Sequence, residues 1–307
     1  MSIHSEAAEM VKSRIFRKET ESIILFTSTA DFEFLYRYLT DQKNTCRIVI
    51  PENRLGTPKI QAIQDFCVCS RIEMMVHPKG GTNLEAFHEW IRKSGAAIAV
   101  SWNYSQILRK ETLDLFPKGV WNMHGGKIPE YRGGNVLQWA IVNGETEAGV
   151  TWHLMDEKVD HGQILKQGTV PILENDTAIE VFAKISRKGL ELFRQLWDEA
   201  VTGGIQPYDV DMTAGHYWKA RTPLDGIIRS EMTGREIWNL LRAQCPPWPA
   251  PILVHENTVY RVHRIADERG EGMLEYDSGS GKIFLEVSRE TDRELVRKIL
   301  ERIVAPI

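Results

Sequence analysis

Short apolar runs alternate with amphipathic segments over the first 200 residues, and this alternation limits the possible folds more than any other feature. SIILFTS (22–28), CRIVIP (46–51) and AAIAVS (96–101) are brief and closed by Ser, Thr or Pro, as buried strands are. Between them Phe32, Leu35, Tyr36 and Leu39 recur at helical spacing over 31–41, and 58–67 and 84–94 repeat that pattern. A weak strand lies near 73–76. GVWNMH (119–124), GVTWHLM (149–155) and 164–170 add strands, and 136–142 a short helix. Ile179, Phe182, Ile185, Leu190, Phe193 and Leu196 make 178–200 a long amphipathic helix. Strands alternating with helices predict an α/β fold with a doubly wound, mostly parallel sheet.

The texture changes at VTGGIQP (201–207), which reads as a linker. Beyond it come a helix at 234–243, short strands at 252–254, 258–265, 272–276 and 282–287, and a helix at 291–304. CPPWPAP (245–251) must be extended, because proline blocks helix and restricts the residue before it. The 307 residues therefore divide into an N-terminal domain (1–200) and a smaller, β-rich C-terminal domain (201–307).

Charge narrows the partners. The net charge of −4 gives no field favouring nucleic acid or an anionic membrane. No apolar stretch approaches the roughly 20 residues of a membrane helix, and the polar first twenty residues lack the apolar core of a signal peptide. Of the four cysteines only Cys67 and Cys69 are close, at a spacing poor for metal or redox work. These features predict a reduced, cytoplasmic protein, and the small, apolar-rich second domain leaves room for a homodimer.

The candidate chemistry lies between residues 121 and 165. Asn122 and His124 share one side of a strand by its two-residue period, at the carboxyl end where open α/β sheets bind ligands. Asp160 follows in a glycine-containing loop and can approach the imidazole, favouring its charged form. An amide donor, a proton-transfer group and a carboxylate suit acyl-type transfer to an amine, without a Ser or Cys nucleophile. The histidines show no metal-ligand spacing. His161 reads as a loop residue and His153 as a strand residue directed into the core. Arg132 and Tyr131 belong to a stiff, proline-containing turn, where Arg132 either anchors the loop or meets an anionic ligand. Trp102 opens the segment WNYSQIL, which can wall a flat heterocycle. There is no G-x-G-x-x-G after the first strand, against a dinucleotide cofactor.

Asn122-x-His124, Pro129-x-Tyr131-Arg132-Gly133, Trp139-Ala140-Ile141-x-Asn143-Gly144-Glu145, Gly149-Val150-Thr151 and Asp160-x-Gly162 together resemble the 10-formyltetrahydrofolate-dependent formyltransferases. That family includes methionyl-tRNA formyltransferase, glycinamide ribonucleotide formyltransferase and the sugar N-formyltransferases. Arg221-Thr222-Pro223-x-Asp225-Gly226, Ile237-x-Asn239-Leu240-x-Arg242-Ala243 and Pro247-Trp248-Pro249 look like the second domain shared by the tRNA and sugar enzymes. The nearest likeness is to the formyltransferase domain acting on UDP-4-amino-4-deoxy-L-arabinose. The resemblance implies a Rossmann-like catalytic domain, 10-formyltetrahydrofolate as cosubstrate, and Asn122, His124 and Asp160 as catalytic residues. It implies a pterin held by Gln106, Ile107 and Leu108 and by the loop Asp156, Glu157, Lys158 and Val159. Tyr131, Arg132 and Trp102 are then expected at the acceptor. From Val201 onward 16 acidic residues face 14 basic ones, which disfavours a tRNA-binding lobe. The expected acceptor is therefore a nucleotide-linked amino sugar, with initiator tRNA or another small amine as the alternatives.

Overall fold

A computed structural model describes residues 21–80 and 83–304. The first twenty residues, read above as polar, lie outside the described residues. Two compact units emerge. One comprises the chain to Arg132, Gly149–Thr169 and Ile185–His216; the other comprises Gly133–Ala148, Val170–Lys184 and Tyr217 onward.

The first unit is built on strands β1 (Ser22–Thr27), β2 (Thr45–Pro51), β3 (Met74–His77), β4 (Ile98–Trp102) and β5 (Val120–His124). A two-residue strand, β6 (Arg132–Gly133), follows, then β7 (Glu147–Leu154) and β8 (Ile164–Pro171). The seven-stranded sheet has the order β3-β2-β1-β4-β5-β7-β8. The first five strands are parallel, and β7 pairs antiparallel with β5. Ile23, Ile24, Leu25 and Phe26 of β1 are all fully buried, as expected for a strand covered on both faces. The order reverses between β1 and β4, the switch point at which such sheets leave a crevice for ligands.

Helices α1 (Phe32–Asp41), α2 (Pro58–Cys69) and α3 (Leu84–Ser94) connect the parallel strands. Each boundary has a local cause. Phe32, Leu35 and Leu39 form the buried stripe of α1. Thr57 accepts from the Ile60 N–H at the start of α2, with Pro58 in the first turn. Gly95, at φ 66°, ends α3 in the left-handed region. The spacing missed the single-turn α4 (Lys110–Leu113) and carried the α2 pattern two residues short. The short α5 (Val136–Val142) and the long α6 (Ala178–Val201) follow their apolar periodicity. Trp152 of β7 donates its Nε1–H to the Gly189 carbonyl on α6 (2.8 Å). The run at 201–207 ends α6, and the chain then stays with the first unit to His216, with Tyr208 bridging Ile164.

The second unit holds a five-stranded sheet of order β10-β11-β12-β14-β13. After the short β9 (Tyr217–Trp218), its strands are β10 (Ile227–Ile228), β11 (Ile252–His255), β12 (Thr258–Ala266), β13 (Leu274–Ser278) and β14 (Gly281–Arg289). Helix α7 (Gly234–Ala243) begins in a Thr233/Glu236 capping box and buries Ile237 and Leu240 with Val262 and Leu285. Helix α8 (Arg293–Val304) buries Ile299 with Ile252 and Val259. Among the described residues no helix is long and apolar enough to cross a membrane.

At the end of β3 the His77 ring stacks on Phe87 (centroids 4.9 Å) and its Nδ1 meets the Tyr104 hydroxyl at 2.8 Å. Burial, reinforced by the nearby His88, pushes the His77 imidazole down to about 4. A histidine depressed in the folded state binds fewer protons there than in the unfolded chain, so its stabilisation is complete above the ordinary value and fades as pH falls toward about 4. Stability should therefore drop across pH 6.5 to about 4. His77→Gln should flatten that slope, as read from urea unfolding at each pH.

Candidate active site

Register brings four side chains to one face. Across the antiparallel β5–β7 pair Asn122 lies opposite His153 and His124 opposite Thr151. Directly opposed residues project to the same side of a sheet, while Met123 and Trp152, also opposed, are buried. His124 and His153 are 7% and 1% exposed, so neither ring is a surface group.

Asp160 closes the arrangement. Its Oδ2 is 3.4 Å from His124 Nδ1, and its Oδ1 is 3.6 Å from His153 Nε2. The carboxylate is buried, on a backbone at φ 51°, in the left-handed region. Just after it, a Cβ on Gly162 would collide with the Leu154 carbonyl. A glycine is needed there for the loop to fold back on β7 and deliver Asp160.

Hydrogen-bond chemistry fixes the tautomers. His124 Nε2 is 2.6 Å from the Tyr131 carbonyl, which can only accept, so Nε2 carries a hydrogen. In the imidazolium form Nδ1 also presents an N–H, and it faces the carboxylate. His153 Nδ1 meets the Leu154 carbonyl at 2.9 Å and is likewise the donor. In its neutral form the His153 ring then offers a lone pair at Nε2 to the Asn122 amide N–H, 3.0 Å away. An amide nitrogen has two N–H bonds, so Asn122 keeps one for a ligand. Sequence reasoning sent His153 to the core without a role. Its signal was parity: it shares a side of β7 with Thr151, away from Trp152.

The remaining expected residues take different positions. Gln106 spends its amide N–H groups on the His77 and Pro78 carbonyls (3.2 and 2.9 Å), which ties its loop to the end of β3. Ile107 beside it is 70% exposed, whereas Leu108 packs into the core. Asp156 folds its own loop, accepting the Lys158 N–H at 2.8 Å and facing His161 Nδ1 at 3.1 Å. Glu157, Lys158 and Val159 are exposed. His161 is thus a loop clasp.

Tyr131 is half-buried and supplies its carbonyl to His124. Arg132 directs its guanidinium to the Pro129 and Met212 carbonyls (3.3 and 3.0 Å), anchoring the loop through backbone oxygens. Trp102, expected at the acceptor, is 2% exposed and packs on Trp152, centroids 5.9 Å apart, among the core residues behind β5 and β7. Asp31, which the sequence did not single out, accepts from Asn103 Nδ2 (3.3 Å) and Ser186 Oγ (2.9 Å) and thereby fixes the start of the 103–108 loop.

Residues 24–196 match the family model described as formyl transferase. The chain belongs to the formyl transferase family. It is 33% identical over 173 residues to the bifunctional polymyxin resistance protein ArnA of Wigglesworthia glossinidia brevipalpis, a match covering 56% of this chain and 26% of that protein. The chain thus spans about a quarter of the length of that curated relative. WlaRD, a sugar 3N-formyl transferase, shares its fold with a TM-score of 0.68 at 18% identity, over 89% of this chain and all of that one. The N-formyltransferase from Helicobacter canadensis does so with the same score and identity, over 88% of this chain and all of that one.

The left-handed backbone at Asp160 separates two kinds of substitution. Asn adopts that region readily and a β-branched residue does not. Asp160→Val should therefore cost about 1–2 kcal/mol more stability than Asp160→Asn, a difference that urea unfolding of the two variants measures.

Proposed function

We propose that this formyl transferase moves the formyl group of 10-formyltetrahydrofolate to the amine of a nucleotide-linked amino sugar. The observation that carries the reading is the grouping of half-buried Asn122 with buried His124 and Asp160, joined by His153, at the carboxyl end of β5. The solved relatives support both substrate classes. WlaRD was crystallised with dTDP and 5-N-formyl-THF, and the Helicobacter canadensis enzyme with folinic acid and dTDP-3-aminofucose.

In the proposed reaction the neutral acceptor amine attacks the formyl carbon on N10 of the folate. Negative charge develops on the formyl oxygen, where the spare Asn122 N–H and the His124 imidazolium stabilise it. Preorganised donors of this kind are often the largest single catalytic contribution. As the tetrahedral intermediate collapses, the C–N10 bond breaks and N10 takes a proton while the amine loses one. His124 carries that proton through Nε2 when an acceptor atom competes with the Tyr131 carbonyl. Asp160 holds the ring and balances its charge, and His153 orients the Asn122 amide. No covalent enzyme intermediate is required.

The exposed Ile107 and the exposed loop 157–159 supply apolar surface and backbone groups for the pterin, with Gln106, Leu108 and Asp156 holding those segments in shape. Tyr131 and Arg132 belong to the acceptor side, Arg132 by shaping the loop. The 16 acidic against 14 basic residues from Val201 onward favour a small-molecule acceptor over tRNA.

Incubation with 10-formyltetrahydrofolate and a panel of nucleotide-linked amino sugars, followed by the absorbance of released tetrahydrofolate, tests the reading. At least one sugar should support turnover. His124→Ala and Asp160→Asn should each lower kcat by about 10²-fold or more, while folate affinity survives the His124 change. Formylation of charged initiator tRNA alone would replace the acceptor, and wild-type rates in either variant would remove the assigned roles.

A further inference from the structure

The His124 ring is held on one side by a backbone group, the Tyr131 carbonyl, which no side-chain substitution removes directly. What places that carbonyl is a polar stitch from a buried residue of β7 and a half-buried one of β8. Gln167, on β8, gives one Nε2–H to the Ile128 carbonyl and the other to Thr151 Oγ1, both at 2.9 Å. Thr151, fully buried, gives its hydroxyl hydrogen to the Gly126 carbonyl at 2.7 Å and accepts the Ile128 N–H at 3.4 Å. Apart from the bond between them, both side chains thus bind the turn that follows His124. Gly149 lets that turn lie flat on β7, because a Cβ there would strike the Lys127 backbone. The Lys127 carbonyl in turn accepts the Tyr131 N–H at 2.7 Å, and the Tyr131 carbonyl reaches His124 Nε2.

We infer that Gln167 is a positioning residue for His124, acting through Thr151 and the 126–131 turn to hold the Tyr131 carbonyl against the ring. The inference rests on the formyl-transfer reading for its kinetic consequence, but its geometric content is independent of any substrate. Gln167 suits the task because one amide nitrogen makes two donations at a fixed angle, and both acceptors belong to or adjoin the turn. An apolar residue of the same size would leave the Ile128 carbonyl buried without a partner. The turn would then relax toward other donors, and the ring would lose its fixed orientation.

The decisive measurement is the imidazole Nε2–H proton resonance of His124 in ¹⁵N-histidine-labelled protein, assigned with His124→Ala. A ring N–H donating to a carbonyl at 2.6 Å should give a downfield, exchange-protected signal. Gln167→Met should move that signal upfield or lose it to solvent exchange. It should also lower kcat by about 10-fold to 10²-fold, with KM for formyl-folate nearly unchanged. Thr151→Val should act in the same way, and Thr151→Ser, which keeps the hydroxyl, should restore both signal and rate. If Gln167→Met does not fold, Gln167→Asn, which shortens the reach by one carbon, carries the same expectations. A wild-type resonance and rate in the Gln167 variant overturns the inference. So does a fall in melting temperature with the resonance in place, which would make Gln167 a purely structural residue. Absence of formyl transfer by the wild-type chain would count against the proposed function instead, and the resonance comparison would still decide the role of Gln167.

Discussion

The site depends on one constraint: a histidine ring held between two acceptors that it cannot choose between. His124 meets a backbone carbonyl at one nitrogen and a buried carboxylate at the other, and only the imidazolium satisfies both with N–H donors. Much of the surrounding chain is explained by the need to deliver those two acceptors. Asp160 arrives on a left-handed residue in a loop that Gly162 allows to close on β7. Tyr131 arrives at the end of a turn held from below by Thr151 and Gln167. A ring so bound loses little orientation when substrate binds, which is the physical meaning of preorganisation.

Asn122 shows how the same logic reaches the neutral partner. Its amide is oriented by His153, whose own tautomer is set by the Leu154 carbonyl. Two histidines one strand apart thus do different work. A backbone carbonyl makes Nε2 the donor in one ring and Nδ1 the donor in the other, so opposite ring edges are left to face Asp160 and Asn122.

Most of the architecture was legible because its causes are local. The apolar run Ile23–Phe26 has no reading except a buried strand, and Leu84–Ser94 is bounded at its end by Gly95, so its limits follow from sequence. Asn122 and His124 were legible from strand parity, and Asp160 from its glycine-containing loop. The contacts of Trp102, His153 and Gln167 were not legible, for a shared reason. Those contacts depend on what lies on the neighbouring strand or helix, and one strand's alternation says nothing about the direction or register of its partner. Trp102 sits at the ligand end of β4 yet turns into the core against Trp152, which periodicity alone cannot distinguish from a ring facing outward. The two-residue strands β6, β9 and β10 were invisible because they are too short to carry any period.

The antiparallel seating of β7 against β5 has a consequence for which changes the site withstands. In an all-parallel sheet only strand ends reach the ligand crevice, and reactive groups ride on the loops beyond them. Reversing one strand brings residues from within it, Thr151 and His153, to the same face as the end of its neighbour. Groups carried mid-strand move only when the ladder itself opens, whereas loops change length and composition freely. Asn122, His124, Thr151 and His153 are thereby fixed by the ladder, while Asp160 depends on the fold of its loop. A change in the loops can leave those four side chains in place, whereas a slip of β7 against β5 would part Asn122 from His153 and His124 from Thr151 together.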